Sequence, residues 1–420
     1  MRVWSVGGVL GACWLTLAGC GEHVVTVIVP LDAGLADAGA PDAGTPDAGT
    51  ADAGAPDAGT ADAGTPDAGV QPPAPSTVPL FVLQGQAGRT AVSCDLGRTW
   101  RADRSDAPAV RCFADTGGTD CDHHPGNGQG LAYGNGWFVG TFGWGSPPGV
   151  IRRSRDGVAW ETVAPDANFG GLVFGRGTFL AGGWTPLVSR DDGATWERGG
   201  ESGMDVWTVR RAGFGGAGGV FLLHASSGPS RAWARSTDEG RTWAAPEVMP
   251  AECSAGDPWT GGIVSGGSVL VTLEGGTACR SVDDGRTWRS ASVGGQVESQ
   301  LLWTGSEFVA WGRRDGTDER SLFRSADGAS WTAVPTRTRT LAADGSAVLS
   351  AGPALGATAF GEGVYVGVNG GWQQYYERQA FFRSTDGVTW DALPASAFTG
   401  GHPVKNIAFG RGPPSSAACP

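Results

Sequence analysis

Ser236-Thr237-Asp238-Glu239-Gly240-Arg241-Thr242-Trp243 is one of seven copies of the same short pattern in this chain. The others are 93–100 (SCDLGRTW), 154–160 (SRDGVAW), 189–196 (SRDDGATW), 281–288 (SVDDGRTW), 325–331 (SADGASW) and 384–390 (STDGVTW). All keep Ser, Asp, Gly and Trp in that order. Asp beside Gly specifies a tight turn, because Gly takes positive φ without steric cost and the Asp oxygens accept local N–H groups. The Trp supplies a large face to stitch the turn to its surroundings. Seven such turns mark a repeat architecture, so Asp156, Asp192, Asp238, Asp283, Asp327 and Asp386 read as structural. The Arg before the box Ser (Arg153, Arg235, Arg280, Arg324, Arg383) reads the same way.

Short apolar strands surround each box. One ends in the box Ser, as in Thr90-Ala91-Val92 and Phe381-Phe382; another lies upstream, as in Trp137-Phe138-Val139 and Val364-Tyr365-Val366; a short outer strand follows the Trp. An opening strand begins each repeat, among them Leu131-Ala132-Tyr133, Leu172-Val173-Phe174, Ile263-Val264, Leu301-Leu302-Trp303 and Thr358-Ala359-Phe360. The first repeat, at 80–102, lacks one, and the chain ends with one left over, Ile407-Ala408-Phe409. Openers and boxes match only if the C-terminal strand joins the N-terminal strands in one sheet, which is how a β-propeller closes and protects its edges. The expected fold is all-β: a single seven-bladed β-propeller over 79–420, with four-stranded blades of about 49 residues.

The boxes resemble the Asp-box (BNR) repeats of the sialidase-like propellers, a group that includes sialidases, sortilin-type receptors, xyloglucan-degrading glycosidases and the photosystem II assembly factor. The resemblance spans 79–420. It implies boxes on turns between third and fourth strands, away from the catalytic face, and implies little about function. Sialidase chemistry in that group uses three arginines, a Tyr nucleophile paired with Glu, and an Asp acid. The group's Arg-Ile-Pro segment is missing, Val150-Ile151-Arg152-Arg153 being no match, and sialidases have six blades. Tyr375-Tyr376-Glu377 is the one suggestive adjacency.

The N-terminus reads as an address. Arg2 precedes an apolar run over 3–17 that ends in Leu17-Ala18-Gly19-Cys20, which resembles a bacterial lipobox. The resemblance implies a signal peptide over 1–19 and acylation of Cys20, hence a membrane partner and an outer-membrane protein on the periplasmic or cell-surface side. Residues 20–78 form an Asp-Ala-Gly-rich linker with Asp recurring every fifth residue from Asp32 to Asp67. Without large apolar side chains it is expected to be a disordered tether. Its spacing does not converge the oxygens that Ca²⁺ needs. Residues 24–29 (VVTVIV) are β-prone.

Net charge is −12 overall, but residues 21–78 hold eight Asp and Glu22 with no Lys or Arg, leaving the folded part nearly balanced. This excludes the basic footprint of a nucleic-acid binder. No cofactor is expected: there is no Gly-rich phosphate loop, Ser/His/Asp motif or redox CxxC. Leaving aside Cys13 and Cys20, six cysteines remain, and an exported chain should oxidise them. Of the fifteen pairings possible for six thiols, Cys112–Cys121 closes a short loop, Cys253–Cys279 lies within one repeat and Cys94–Cys419 locks the ring. Cys121-Asp122-His123-His124 has no second ligand pair at zinc spacing, so no metal is expected.

Propeller topology puts two sets of connections on one face: those entering the opening strands and those between second and third strands. The entering segments pair acid with aromatic, Asp166/Phe169, Asp205/Trp207 and Asp257/Trp259, with Glu298 and His402 in comparable places. Longer connections add Trp144, Trp184, Arg337, Arg339, Trp372, Tyr375 and Tyr376. Aromatic faces with carboxylates suit sugars, so Asp166, Asp205, Trp207, Asp257, Trp259, Tyr375, Tyr376 and His402 are the expected ligand-binding residues. The reading is a monomeric, non-catalytic binder of a protein or glycan. Alternatives are a glycoside hydrolase using Asp205 and Asp257, and an assembly scaffold for envelope complexes.

Overall fold

The structure is a computed structural model. It describes residues 77–106, 127–143, 149–164, 171–182, 185–204, 209–225, 232–253, 262–342, 344–370, 379–398, 402–414 and 419. The expected signal peptide over 1–19, Cys20, the expected linker up to residue 76 and the expected pair Cys112–Cys121 lie outside them.

Each box resets the chain, and seven sheets result. The chain is an all-β seven-bladed propeller. In blade 1 the order is Arg101–Arg104, Thr90–Ser93, Val78–Gly85, Val404–Gly412, so the C-terminal strand takes the innermost place beside the N-terminal one. Their antiparallel register sets Phe81 opposite Phe409 and Leu83 opposite Ile407. The inner strands of blades 2–7 are Asn127–Gly134, Leu172–Gly175, Val209–Gly215, Ile263–Gly266, Leu302–Trp303 and Leu355–Gly361. Together with Val404–Gly412 each touches the next, and the ring is closed.

The period-2 alternation of a strand explains how blades stick. On Val78–Gly85, Phe81 and Leu83 pack with Ala359 and Val366 of blade 7, while Leu80 and Val82 pack with Leu131 and Phe138 of blade 2. A second strand is therefore apolar on both faces, since a blade covers each.

The boxes form a second ring of contacts. In all seven the box Ser hydroxyl accepts from the Gly amide at 2.8–2.9 Å and donates to the Asp at 2.8–3.0 Å. The Gly then lies against the second strand of the preceding blade. A Cβ on Gly240 (φ +78°) would stand 2.9 Å from Leu180, and one on Gly157 (φ +71°) 2.6 Å from Val82. The same geometry sets Gly193 on Val139, Gly285 on Leu222, Gly328 on Val271, Gly387 on Trp311 and, closing the circle, Gly97 on Val366. Arginines of the third strands reach the other way across the same seams, to the box of the following blade: Arg153 Nη1 donates to Asp192 O at 3.2 Å and Arg383 Nε to Leu96 O at 2.8 Å.

Three details differ from the sequence expectation. The box carboxylate in 189–196 is Asp191, which accepts from the Thr195 amide and hydroxyl; Asp192 is an extra residue at φ +61° whose carboxylate accepts from Asn135. Eight-residue boxes carry such an insert (Leu96, Asp192, Glu239, Asp284, all at positive φ), and Asp95 fills the same carboxylate role in the first. Blade 6 has five strands, because its inner place is shared by Gly295–Val297 and Leu302–Trp303. Blade 7 has six, because the hairpin Arg337–Leu341 and Ala347–Ala351 adds to its outer edge. Arg337 and Arg339 accordingly sit on the rim, where Arg339 pairs with Asp391, and not in a connection at the channel mouth.

Cys94 is bonded to Cys419 and Cys253 to Cys279, both with Cα atoms 5.8 Å apart. Disulfides place the domain in an oxidising compartment. Among the described residues no helix is long and apolar enough to cross a membrane.

Candidate functional site

The inner strands run from one end of the channel to the other, and the two ends differ in chemistry. At the box end the inner strands of six blades carry an aromatic that pairs with an aromatic on the second strand. The pairs are Phe409–Phe81, Tyr133–Phe138, Phe174–Phe179, Phe214–Phe221, Trp303–Phe308 and Phe360–Tyr365, with ring centroids 4.6–5.1 Å apart. Blade 5 puts Ser265 and Leu270 in that place.

The opposite end is a collar of buried polar side chains that follow no repeat. Gln84, Gln129, Arg211, Gln300, Thr358 and Asn406 are all 6% exposed or less, and five of them stand on strands. A hydrogen-bonded chain links four blades. Thr358 N donates to Gln300 Oε1 at 3.4 Å, Gln300 Nε2 to Asn406 Oδ1 at 3.5 Å, Asn406 Nδ2 to Gln84 Oε1 at 2.7 Å, and Gln84 Nε2 to Thr141 O at 2.9 Å. Between blades 4 and 5 the collar is ionic: Glu274 Oε1 lies 3.5 Å from Arg211 Nη1 and 3.7 Å from His224 Nε2, all three at most 2% exposed. Burying such charges is costly unless they meet one another, and here they do.

The turn Gln86–Gly88, between the second and third strands of blade 1, packs on Asn127–Gly134 at this end. It is pinned from behind. Arg89 makes a buried bidentate pair with Asp103 at 2.9 and 2.8 Å, and its Nη1 donates to the His402 carbonyl. Gln86 and Gln129 are 0% and 2% exposed, and among the described residues neither side-chain amide has a hydrogen-bond partner. Each unmet buried amide costs about 1–3 kcal/mol. An amide donates and accepts at once, so the pair suits hydroxyl groups, water or a peptide backbone.

Of the expected ligand residues, His402 is buried at 1% exposure, and its carbonyl serves the Arg89 clamp. Glu298 is engaged by Arg313 at 2.9 Å and by Arg320. Asp166, Asp205, Trp207, Asp257, Trp259, Tyr375 and Tyr376 lie outside the described residues. The described strand ends that flank them, Ala164, Val209, Ile263 and Asn369, are on the collar side of their blades. The collar itself was missed in the sequence. Its signal was a Gln, Arg or Asn at or just before an opening strand: Gln129, Arg211, Gln300 and Asn406. Among the described residues no three His, Cys, Asp or Glu side chains gather as a metal site.

No family model and no curated protein matches the chain. Solved propellers overlap it loosely. A quinonprotein alcohol dehydrogenase-like protein from Bacteroides thetaiotaomicron VPI-5482 is 11% identical, covers 78% of this chain and 77% of its own, and has a TM-score of 0.49. Apo AztD from Citrobacter koseri is 10% identical, covers 82% of this chain and 100% of its own, with a TM-score of 0.47. TolB from Acinetobacter baumannii is 10% identical, covers 79% and 66%, with a TM-score of 0.41. At these values no ligand carries over from them; the chain is similar to each in architecture alone.

Proposed function

We propose that the chain is an exported lipoprotein whose Asp-box (BNR-type) propeller binds a protein or glycan ligand at the collar end of the channel, without catalysis of its own. Residues 1–19 are its signal peptide, Cys20 its acylated anchor at the outer membrane, 20–78 a tether and 79–420 the binding domain.

One observation carries the reading: the collar buries the Gln86 and Gln129 amides with no hydrogen-bond partner among the described residues, an arrangement that is not part of the repeat. Asp166, Asp205, Trp207, Asp257, Trp259, Tyr375 and Tyr376 fall in sequence between strands whose described ends are on this side, and their acid–aromatic pairing suits a sugar or a polar peptide.

Glycan-array screening with Trp207→Ala and Trp259→Ala as controls tests it. Binding to a defined glycan class, weakened at least about tenfold in either variant, is expected for a glycan ligand. No binding to any glycan leaves a protein ligand, to be sought by cross-linking in the envelope. Turnover of a bound glycan that stops in Asp205→Asn or Asp257→Asn would replace the reading with a glycoside hydrolase. Cys20→Ser is expected to move the protein from the membrane to the soluble fraction; retention would sink the anchor.

A further inference from the structure

The outer edges of a propeller are its exposed strand edges, and each is a template for pairing. Blades 1–6 blunt theirs. Their outer strands are Arg101–Arg104 (RADR), Glu161–Ala164 (ETVA), Glu197–Arg198 (ER), Glu247–Val248 (EV), Arg289–Ser292 (RSAS) and Thr332–Pro335 (TAVP). Every one carries a charge or a proline, the usual guards against edge-to-edge association.

Blade 7 departs from this. Its own outer strand, Thr389–Ala392, is covered by Arg337–Leu341 in parallel, and the final edge is Ala347–Ala351 (AVLSA). That strand has no charge and no proline, and all five residues are exposed. Val348 is 49% and Leu349 61% exposed, and Leu341 on the neighbouring strand 77%. Leu349 stands opposite Arg339, whose charge is already taken up by Asp391.

We infer that Ala347–Ala351 pairs with the same strand of a second copy of this chain, antiparallel about a two-fold axis. Centred on Leu349, the pairing sets Leu349 against Leu349, Val348 against Ser350 and Ala347 against Ala351. No charge opposes a like charge, and small residues flank the central leucine pair. The strand is thus complementary to itself, as an isologous contact requires. Its position outside the four blade strands lets two propellers meet edge to edge. A five-residue ladder is far smaller than the ~1,200–2,000 Å² of a stable dimer, so the association is weak and concentration-dependent. The chain is monomeric when dilute, as its sequence suggests, and pairs when concentrated.

The test is sedimentation velocity on the full chain carrying Cys20→Ser, so that no acyl chain contributes, from about 1 μM to 1 mM. The weight-average coefficient is expected to climb from monomer towards dimer. Leu349→Arg, which opposes two positive charges on the axis, should raise the midpoint concentration at least about tenfold without lowering the melting temperature. Leu349→Cys should give a disulfide-linked dimer under mild oxidation, whereas Leu341→Cys, one strand away from the axis, should not. A monomer at every concentration overturns the inference. So does a dimer that ignores Leu349→Arg, which would use another face. Slow amide exchange over 347–351 in a monomer would mean that another part of the same chain occupies the edge, and would also overturn it.

Discussion

The two ends of the channel are built from the same strands and spend their polar groups differently. At the box end the Ser hydroxyl bonds the Asp and the Gly amide in all seven blades, and in the four eight-residue boxes a Thr hydroxyl adds a bond to the same Asp. At the collar end the polar residues are deeper, differ from blade to blade, and two amides have no hydrogen-bond partner among the described residues. The Ser–Asp–Gly contact recurs in all seven blades, whereas the burial of Gln86 and Gln129 is not part of the repeat. The box end is where the sequence repeats because the ring must close; the collar end is where it is free to vary.

The largest blow to the box end should come from Cys94→Ser. Cys94 sits inside the first box and its disulfide to Cys419 spans 325 residues, so its loss releases much unfolded-chain entropy. The unfolding free energy from chemical denaturation is expected to fall by up to about 5 kcal/mol under oxidising conditions, with the ring still formed through the pairing of Val78–Gly85 with Val404–Gly412. A loss below about 1 kcal/mol would mean that strand pairing alone holds the closure.

Asp238→Ala comes next. It removes the acceptor of the Thr242 amide, the Thr242 hydroxyl and the Ser236 hydroxyl, at about 2 kcal/mol. The boxes should also fail together in acid. Burial alone would raise the pKa of Asp283, but the Thr287 amide and hydroxyl, the Ser281 hydroxyl and the Arg286 amide outweigh it and bring it down from 3.8 to about 2. Asp95, Asp191, Asp238, Asp327 and Asp386 are lowered too. A depressed folded pKa gives stability that is complete above the unfolded value and is lost as pH falls through the folded one. Acid titration of the melting temperature should therefore show its main drop between about pH 4 and pH 2, and Asp283→Asn should flatten it.

Gln84→Leu carries the comparison to the collar. It strands the Asn406 amide and the Thr141 carbonyl, and about 2 kcal/mol should be lost in chemical denaturation. Gln84 is thus a structural member of the collar, unlike its unpaired neighbours.

Much of this was legible in the sequence, for local reasons. The order Ser–Asp–Gly–Trp encodes one turn, and counting openers against boxes showed that Ile407 to Phe409 must pair with the N-terminal strands, as they do. What was not legible depended on distance along the chain. Asp192 was taken for the box carboxylate because two adjacent Asp residues read alike until backbone φ separates them. The hairpin that holds Arg337 and Arg339 joins blade 7 by a parallel pairing some fifty residues long-range, which no local pattern signals. The collar was overlooked because a single Gln beside an apolar strand looks like a strand end. Only the ring brings Gln84, Gln300 and Asn406 together from three distant parts of the chain.

The smallest expected effect is the most informative. Gln129→Leu replaces a buried amide that has no hydrogen-bond partner among the described residues with an apolar side chain of similar size. The unfolding free energy of this variant tests most directly whether the collar is kept for binding and not for folding. It should be unchanged or raised by up to about 2 kcal/mol, because a desolvation cost is removed and no bond is lost. A fall of about 2 kcal/mol or more, like that expected for Gln84→Leu, would show that the amide holds the fold together and would contradict the assignment of this end of the channel as the site.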